Sequence, residues 1–405
     1  MKKVLLLIIS LLALTTLPAQ NYRDTITQQL QDLAKNSDLP GFSVALVSKD
    51  RLLYKNGFGF ADVDSQSPYT DQSLHNIGSI SKTFIAFALM KLVEEQKIDL
   101  DESINKYLPF KIQHPQFPNT PMTIRQLACH TSGLTDGKDD MLIEYSYLLS
   151  EPTNFKPEDL PDEYFEYYEI YNRNKAMSMA QFLRHIYHPE GQWYAESNFT
   201  DTAPGTQYQY TNAGATLLAY IIEQVAEESF DQYIQSLVLD PLQMNQSTWQ
   251  LQQADSKLLA SLYLSNGQQV PHYQLITYPD GGLITNASDF GKYLMEMIKG
   301  LAGESKLLSQ DSYREMMSNQ LIEAHFPNAK FETSKGFMWN VNKEGDNIGA
   351  NGADPGVLSY TLFTTQGNIG LYIMANTSLY GNEQLEKDFF SIRRILFKYV
   401  GKLMK

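Results

Sequence analysis

The sequence predicts an α+β protein in which one sheet is assembled from both ends of the chain and a mainly helical region is inserted between. Three observations lead there. Apolar runs of strand length lie near the start, at residues 42–47 and 52–60, and recur late, at 336–341, 359–364 and 369–375. Helical patterns open and close the chain, at 22–36 and 382–400. The stretch between the strand groups holds further helical patterns, with no repeat or low-complexity linker that would mark an appended module.

In chain order, residues 22–36 read as an amphipathic helix closed by Asp38-Leu39-Pro40, since proline disfavours helix in the residue before it. The runs at 42–47 and 52–60 flank a Lys49-Asp50 turn and form a β-hairpin. From 79 to 96 the pattern becomes helical, with Phe84, Ile85, Phe87, Leu89, Leu92 and Val93 on most faces; so apolar a helix belongs in the protein centre. Residues 139–202 are mixed and loop-rich and include the acidic, aromatic stretch 158–168. A helix resumes over 210–227. The expected organisation is a leader at 1–20 and one unit at 21–405, with sheet from about 21–70 and 265–405 and helices over about 71–264.

The leader follows from Lys2 and Lys3, the apolar run 4–14, and Leu17-Pro18-Ala19-Gln20, which is the order of a cleaved secretory signal. That run is shorter than the roughly 20 residues a membrane span needs. Export to the periplasm or exterior is therefore expected, with no stable membrane span after cleavage. With 43% hydrophobic residues in 405, the chain can bury a core without disulfide or metal support. A net charge of −14 argues against nucleic acid or an anionic membrane as partner. Cys129, the only cysteine, has no internal disulfide partner and reads as a small buried apolar residue. Metal-binding His-Glu-x-x-His or Cys-x-x-Cys and a Gly-rich phosphate loop are absent, so neither metal nor organic cofactor is expected.

Chemistry points to Ser79-Ile80-Ser81-Lys82 at the start of the apolar helix. Residues three apart share a helix face, so Lys82 can reach the Ser79 hydroxyl. A serine hydroxyl becomes an effective nucleophile when a neighbouring base takes its proton. Ser103-Ile104-Asn105-Lys106 repeats the spacing, but it sits in a polar connection without a buried helix and reads as solvated surface. The second element is Tyr210-Thr211-Asn212 after Pro204-Gly205-Thr206. A tyrosine near Lys82 can relay the serine proton, and the Asn212 amide can hold Lys82 and a substrate carbonyl. Tyr54-Lys55-Asn56 has the same spacing inside the hairpin, where a structural role is expected.

Gly78-Ser79-Ile80-Ser81-Lys82-Thr83-Phe84, then Thr123-Ile124-Arg125-Gln126-Leu127 with His130-Thr131-Ser132-Gly133-Leu134, then Tyr210-Thr211-Asn212, resemble the serine β-lactamase family in its order. Gly281-Gly282-Leu283, Ser288-Asp289-Phe290 and Pro355-Gly356 continue the likeness over nearly the whole mature chain. Tyr-x-Asn is similar to the class C branch, which includes DD-peptidases, esterases and D-aminopeptidases beside β-lactamases. The resemblance implies a β-lactamase/transpeptidase-like fold, an antiparallel sheet flanked by helices plus a mainly helical domain. It implies Ser79 as nucleophile, Lys82 and Tyr210 as the proton-transfer pair and Asn212 as a positioning group. The backbone N–H groups of Ser79 and Ala353 would form an oxyanion hole, and His130 would be a structural turn residue.

The chain departs from the family at its third element. Counting back from Pro355-Gly356, Ala350-Asn351-Gly352 stand where the family usually has Lys-Thr-Gly or His-x-Gly. The resemblance makes Asn351 and Gly352 substrate-binding positions, with Gly352 leaving room for substrate to approach. Ala350 lacks the group that would hold a substrate carboxylate. The implied activity is a secreted serine hydrolase acting through a Ser79 acyl-enzyme on an ester, an amide, a β-lactam or a D-Ala-type peptide. A catalytically impaired binding protein and a cell-wall transpeptidase or DD-peptidase remain open. Residues 139–202 exceed the usual family link; whether they line the cleft or form a surface excursion is also open.

Overall fold

The computed structural model describes residues 21–137, 141–150, 162–326, 334–342, 344–366 and 368–404. The leader read at 1–20, residues 151–161 with the first four residues of the acidic stretch, and the side chains of 162–167 lie outside this description.

Helix α1 spans residues 21–36. It leads into strands β1 (Gly41–Ser48) and β2 (Leu52–Asp62), the hairpin expected around Lys49-Asp50, and then the two-residue β3 (Ser67–Pro68). Late in the chain come β4 (Asn340–Val341), β5 (Asn347–Asp354), β6 (Val357–Thr364) and β7 (Ile369–Ala375). They form one antiparallel sheet in the order β4-β5-β6-β7-β1-β2-β3. The two chain ends meet where β1 pairs with β7, Phe42 opposite Ala375 and Ser48 opposite Ile369. Gly336–Met338, read as part of a strand, lies outside β4; β5 is a strand that periodicity missed, because Asn347, Asn351 and its glycines interrupt the apolar pattern.

Every residue of β1 is buried, which identifies it as a central strand covered on both faces. On one face Phe42, Val44 and Leu46 join Ile26 and Leu30 of α1 and Phe389, Ile392 and Leu396 of the closing helix (Glu383–Leu403). On the other, Ala45 and Val47 meet the main core, to which Phe290 and Leu294 of helix Ala287–Ala302 belong. The sequence pass did not read that helix, although Asn286 caps it by accepting from Asp289 N at 2.9 Å.

The inserted region is mainly helical. In chain order with α1, helix α2 is Lys82–Glu94, α3 is Asn212–Ala226, α4 is Ala287–Ala302 and α5 is Glu383–Leu403. Helix α2 is buried from Lys82 through Met90 and again at Leu92, as its all-round apolar pattern requires. Phe84 stacks on Tyr293 of α4, rings 4.1 Å apart and 15° from parallel. Among the described residues no helix is long and apolar enough to cross a membrane.

Candidate active site

Ser79 lies in the single 3₁₀ turn Gly78–Ser81 that leads directly into α2. The turn is packed against β5 by two glycines. A Cβ on Gly352 would fall 2.0 Å from the Ile77 carbonyl oxygen and 2.4 Å from Ser359 Oγ. Ser359 Oγ donates to that carbonyl at 2.6 Å. The glycine is therefore required by backbone packing, a different reason from the substrate clearance expected for it. Gly78 is at φ +55°, and a Cβ there would lie 2.8 Å from Ala353 N, which puts that amide beside the Ser79 turn. Asn351, next along the strand, is exposed and lines the smaller cavity described below.

Two residues, one three positions from Ser79 and the other 131, converge on its hydroxyl oxygen. Lys82 Nζ donates to Ser79 Oγ at 2.9 Å and the Tyr210 hydroxyl donates to it at 2.7 Å. Lys82 Nζ also donates to the Asp280 carbonyl at 2.6 Å and sits 5.2 Å from the Tyr210 ring centre. Lys82 is 2% exposed and Tyr210 39%, so the pair runs from the protein interior to the cleft surface. Burial acts most strongly on Lys82 and lowers its pKa, but Tyr210, Asp280 and Asp354 together reverse the effect and hold the ammonium above its ordinary value.

Asn212 does not go where the spacing suggested. Its Nδ2 donates to Asp136 Oδ2 at 3.2 Å, and no described hydrogen bond joins it to Lys82. Asp136 also accepts from Thr211 Oγ1, Asn212 N and Ala213 N, so it anchors the start of α3 and with it the Tyr210 loop. His130, at φ +58° and buried, supports the same loop. Its Nδ1 accepts from Thr211 N at 3.4 Å and its ring lies 4.7 Å from that of Tyr210. Burial, with Lys82 and Lys335 nearby, pushes the imidazole well below its usual range and keeps it neutral. The decoys stay structural: Lys106 pairs with Glu102 at the surface at 2.9 Å, and the Tyr54 hydroxyl shares a hydrogen bond with Thr27 at 2.8 Å. Cys129 is buried, and burial raises its thiol to about 12.

Ser79 and Ala353 border two cavities. The smaller, about 330 Å³, holds Lys82, Tyr210, Ala350, Asn351 and Lys335. Lys335 donates to Asn340 Oδ1, and its ammonium lies 5.2 Å from the Tyr208 ring centre. A cation thus reaches the cavity wall that Ala350 leaves without charge. Sequence reading missed it, because Lys335 belongs to a different segment and carries no motif. The larger cavity, about 860 Å³, is bordered by Asn212, Asp280 and Asp354. Leu142, Ser146, Tyr147, Tyr168 and Tyr171 also face it, so these residues of 139–202 line the cleft. Burial raises Asp280 to about 7 and Asp354 to about 6. Both carboxylates adjoin quoted motifs, Gly281-Gly282 and Pro355-Gly356, yet only the fold shows that they face Ser79. Among the described residues no cluster of His, Cys, Asp or Glu could hold a metal ion.

A family model described as Beta-lactamase matches residues 24–393. Protein flp of Staphylococcus aureus (strain MW2) is 25% identical over 368 residues, covering 88% of this chain and 63% of that protein. A Beta-lactamase of Providencia stuartii is 27% identical over 284 residues, covering 68% of this chain and 62% of that protein. The chain thus spans about three-fifths of the length of these relatives. The octameric penicillin-binding protein homologue from Pyrococcus abyssi superposes with a TM-score of 0.70 at 24% identity, covering 93% of this chain and 77% of that one. A class C β-lactamase superposes with a TM-score of 0.64 at 20% identity, covering 92% and 96%. Sheet, helices and these likenesses establish the β-lactamase/transpeptidase-like fold, and the match to the family model shows that this chain belongs to the β-lactamase family of serine hydrolases.

Proposed function

We propose that this protein is an exported hydrolase that transfers an acyl group from an ester, an amide or a β-lactam/D-Ala-type peptide to Ser79 and then to water. The observation that carries the reading is the pair of hydrogen bonds, from Lys82 Nζ and the Tyr210 hydroxyl, converging on Ser79 Oγ. Lys82 is held as an ammonium, so Tyr210 is the partner left to relay the Ser79 proton, taking it on the phenol oxygen as the phenol gives up its own. In the transition state the ammonium stabilises negative charge developing on both oxygens. The proton that Tyr210 gives up goes to the leaving group, and in deacylation Tyr210 takes a proton from water while returning its own to Ser79 Oγ. The Ser79 and Ala353 amides flank the carbonyl oxygen as it gains charge. Lys335 supplies a cation in the cavity of Ala350, which weakens the one feature that favoured a binding-only protein. Export rests on Lys2, Lys3 and the apolar run that follows them.

Incubation with a fluorophosphonate or a labelled penicillin should add one adduct to the intact protein, mapped to Ser79 by peptide mass spectrometry and missing from Ser79→Ala. An unlabelled protein, or equal labelling of the variant, rejects the nucleophile assignment. Secretion followed by N-terminal mass analysis tests cleavage near residue 20; retention of residues 1–20 in the mature protein rejects export by this signal.

A further inference from the structure

An acyl carbonyl on Ser79 has two directions open to it, because the large and small cavities share Ser79 and Ala353. Their walls differ in charge. Lys82 and Lys335 border the small cavity. Among the described residues that border the large one, none is Lys, Arg or His, while Asp280 and Asp354 stand beside Tyr147, Tyr168, Tyr171 and Tyr273.

Asp354 is the side chain positioned to act on a ligand. It ends β5 one residue beyond Ala353, opposite Val357 across the Pro355-Gly356 turn, with Gly356 at φ +73°. Its Oδ1 accepts the Tyr147 hydroxyl at 2.6 Å, while Oδ2 receives no hydrogen bond from any described residue. A Cβ on Gly281 would lie 3.0 Å from that Oδ2 and 3.7 Å from Gly78 Cα, so the carboxylate borders the Ser79 turn. Asp280 is more committed: its carboxylate is buried and takes hydrogen bonds from Thr216 Oγ1, at 3.0 Å, and from the Thr277 side chain. Asp136 is committed to the start of α3. Burial, and then Asp354, hold Tyr147 well above the usual phenol range, so Tyr147 remains a donor. Burial also works against the charged form of Asp354, and a cation brought into the cavity would relieve that penalty. Tyr147, Tyr171 and Tyr273 pack together with ring centres 5.1 to 5.9 Å apart, and aromatic faces attract cations.

Resting on the acyl-transfer reading above, we propose that the large cavity is an acyl-side subsite for a primary ammonium group, held by Asp354 Oδ2 against the tyrosine wall. The preferred substrates are then esters or amides of amino-bearing acids. Ser79 Oγ bonds to the acyl carbon as the bond from that carbon to the leaving alcohol, thiol or amine breaks, and the leaving group departs with a proton relayed from Ser79 through the Tyr210 hydroxyl. Water splits the acyl-enzyme to the free amino acid, and the ammonium keeps its protons throughout.

The test compares D- and L-alanyl thiobenzyl esters with isobutyryl thiobenzyl ester, in which a methyl replaces the ammonium. In the mature protein kcat/KM for the better alanyl ester should exceed that for isobutyryl by about 30-fold or more, a floor well below the roughly 10⁴-fold that a site built around a buried polar group can reach. The ratio should collapse towards one in Asp354→Asn and survive in Asp354→Glu. Because the readout is a ratio, a general loss of folding cannot mimic it. A second arm uses calorimetry with benzylammonium and benzyl alcohol, which needs no turnover: tighter binding of benzylammonium, weakened by Asp354→Asn, supports the subsite. Equal kcat/KM for the alanyl and isobutyryl esters, or benzylammonium binding no tighter than benzyl alcohol, overturns it. Failure of the hydrolase reading is seen separately, as no thioester cleavage and no fluorophosphonate adduct on Ser79.

Discussion

Around Ser79, charge is divided by direction rather than gathered at one point. The ammonium of Lys82 is spent on Ser79 and the Asp280 carbonyl, which ties it to proton transfer and leaves substrate charge to other groups. Lys335 is a cation that borders the small cavity, where Ala350 carries no charge, and so is placed to meet an anionic leaving group. Lys335→Met should therefore lower kcat/KM for a thioester with a thioglycolate leaving group by about tenfold relative to its neutral thiobenzyl counterpart, the scale of one charge-assisted hydrogen bond. An unchanged ratio would show that Lys335 serves only its contacts with Asn340 and Tyr208. The Ser-x-x-Lys pair was legible because both residues lie within one helical turn. Lys335, Asp280 and Asp354 were not, because no local spacing relates them to Ser79.

At the scale of elements, the site depends on a turn clamped between a helix and a strand. Helix α2 is immobilised by burial on nearly every face, so Ser79 and Lys82 start from a rigid base. Strand β5 closes on that turn with no spare space at Gly352. Gly352→Ala must push the Ile77 carbonyl away and with it the Gly78–Ser81 turn. Labelling of Ser79 by fluorophosphonate should slow by at least about tenfold, since a shift of an ångström at a reacting centre is costly. Labelling at the wild-type rate would show that the turn is less tightly clamped than its contacts indicate. The hairpin, α2 and the terminal helices were legible from apolar period and from Pro40. Strand β5 was hidden by its composition: Asn347, Gly349, Asn351 and Gly352 break the alternation by which strands are recognised, and Gly352 is there for close packing against the Ser79 turn.

At the scale of the whole molecule, the terminal helices cover one face of the sheet while the cleft opens on the other side of the core. Phe389 of α5 is 1% exposed in the cluster that also holds Phe42 and Leu371. Phe389→Ala should cost about 3–5 kcal/mol of stability in urea unfolding, the usual range for a buried phenylalanine, with Ser79 labelling in native buffer unchanged. A loss below about 1 kcal/mol would mean that α5 is not integral to the fold. By itself the sequence determined the α+β class, the buried helix behind Ser79 and the Ser79–Lys82 pair. Each of these is set by a period or spacing short enough for neighbouring residues to express. Tyr210 was expected at the site from its motif and the family resemblance, and the tertiary structure supplies its hydrogen bond to Ser79 from 131 residues away. Only the tertiary structure turned Asn212 towards Asp136, brought Lys335 into the cavity that Ala350 lines and set Asp354 on the wall of a tyrosine-lined cavity. The physical reason is that these contacts come from strand pairing and packing between distant segments, whose partners are chosen by the closed core and not by any local pattern.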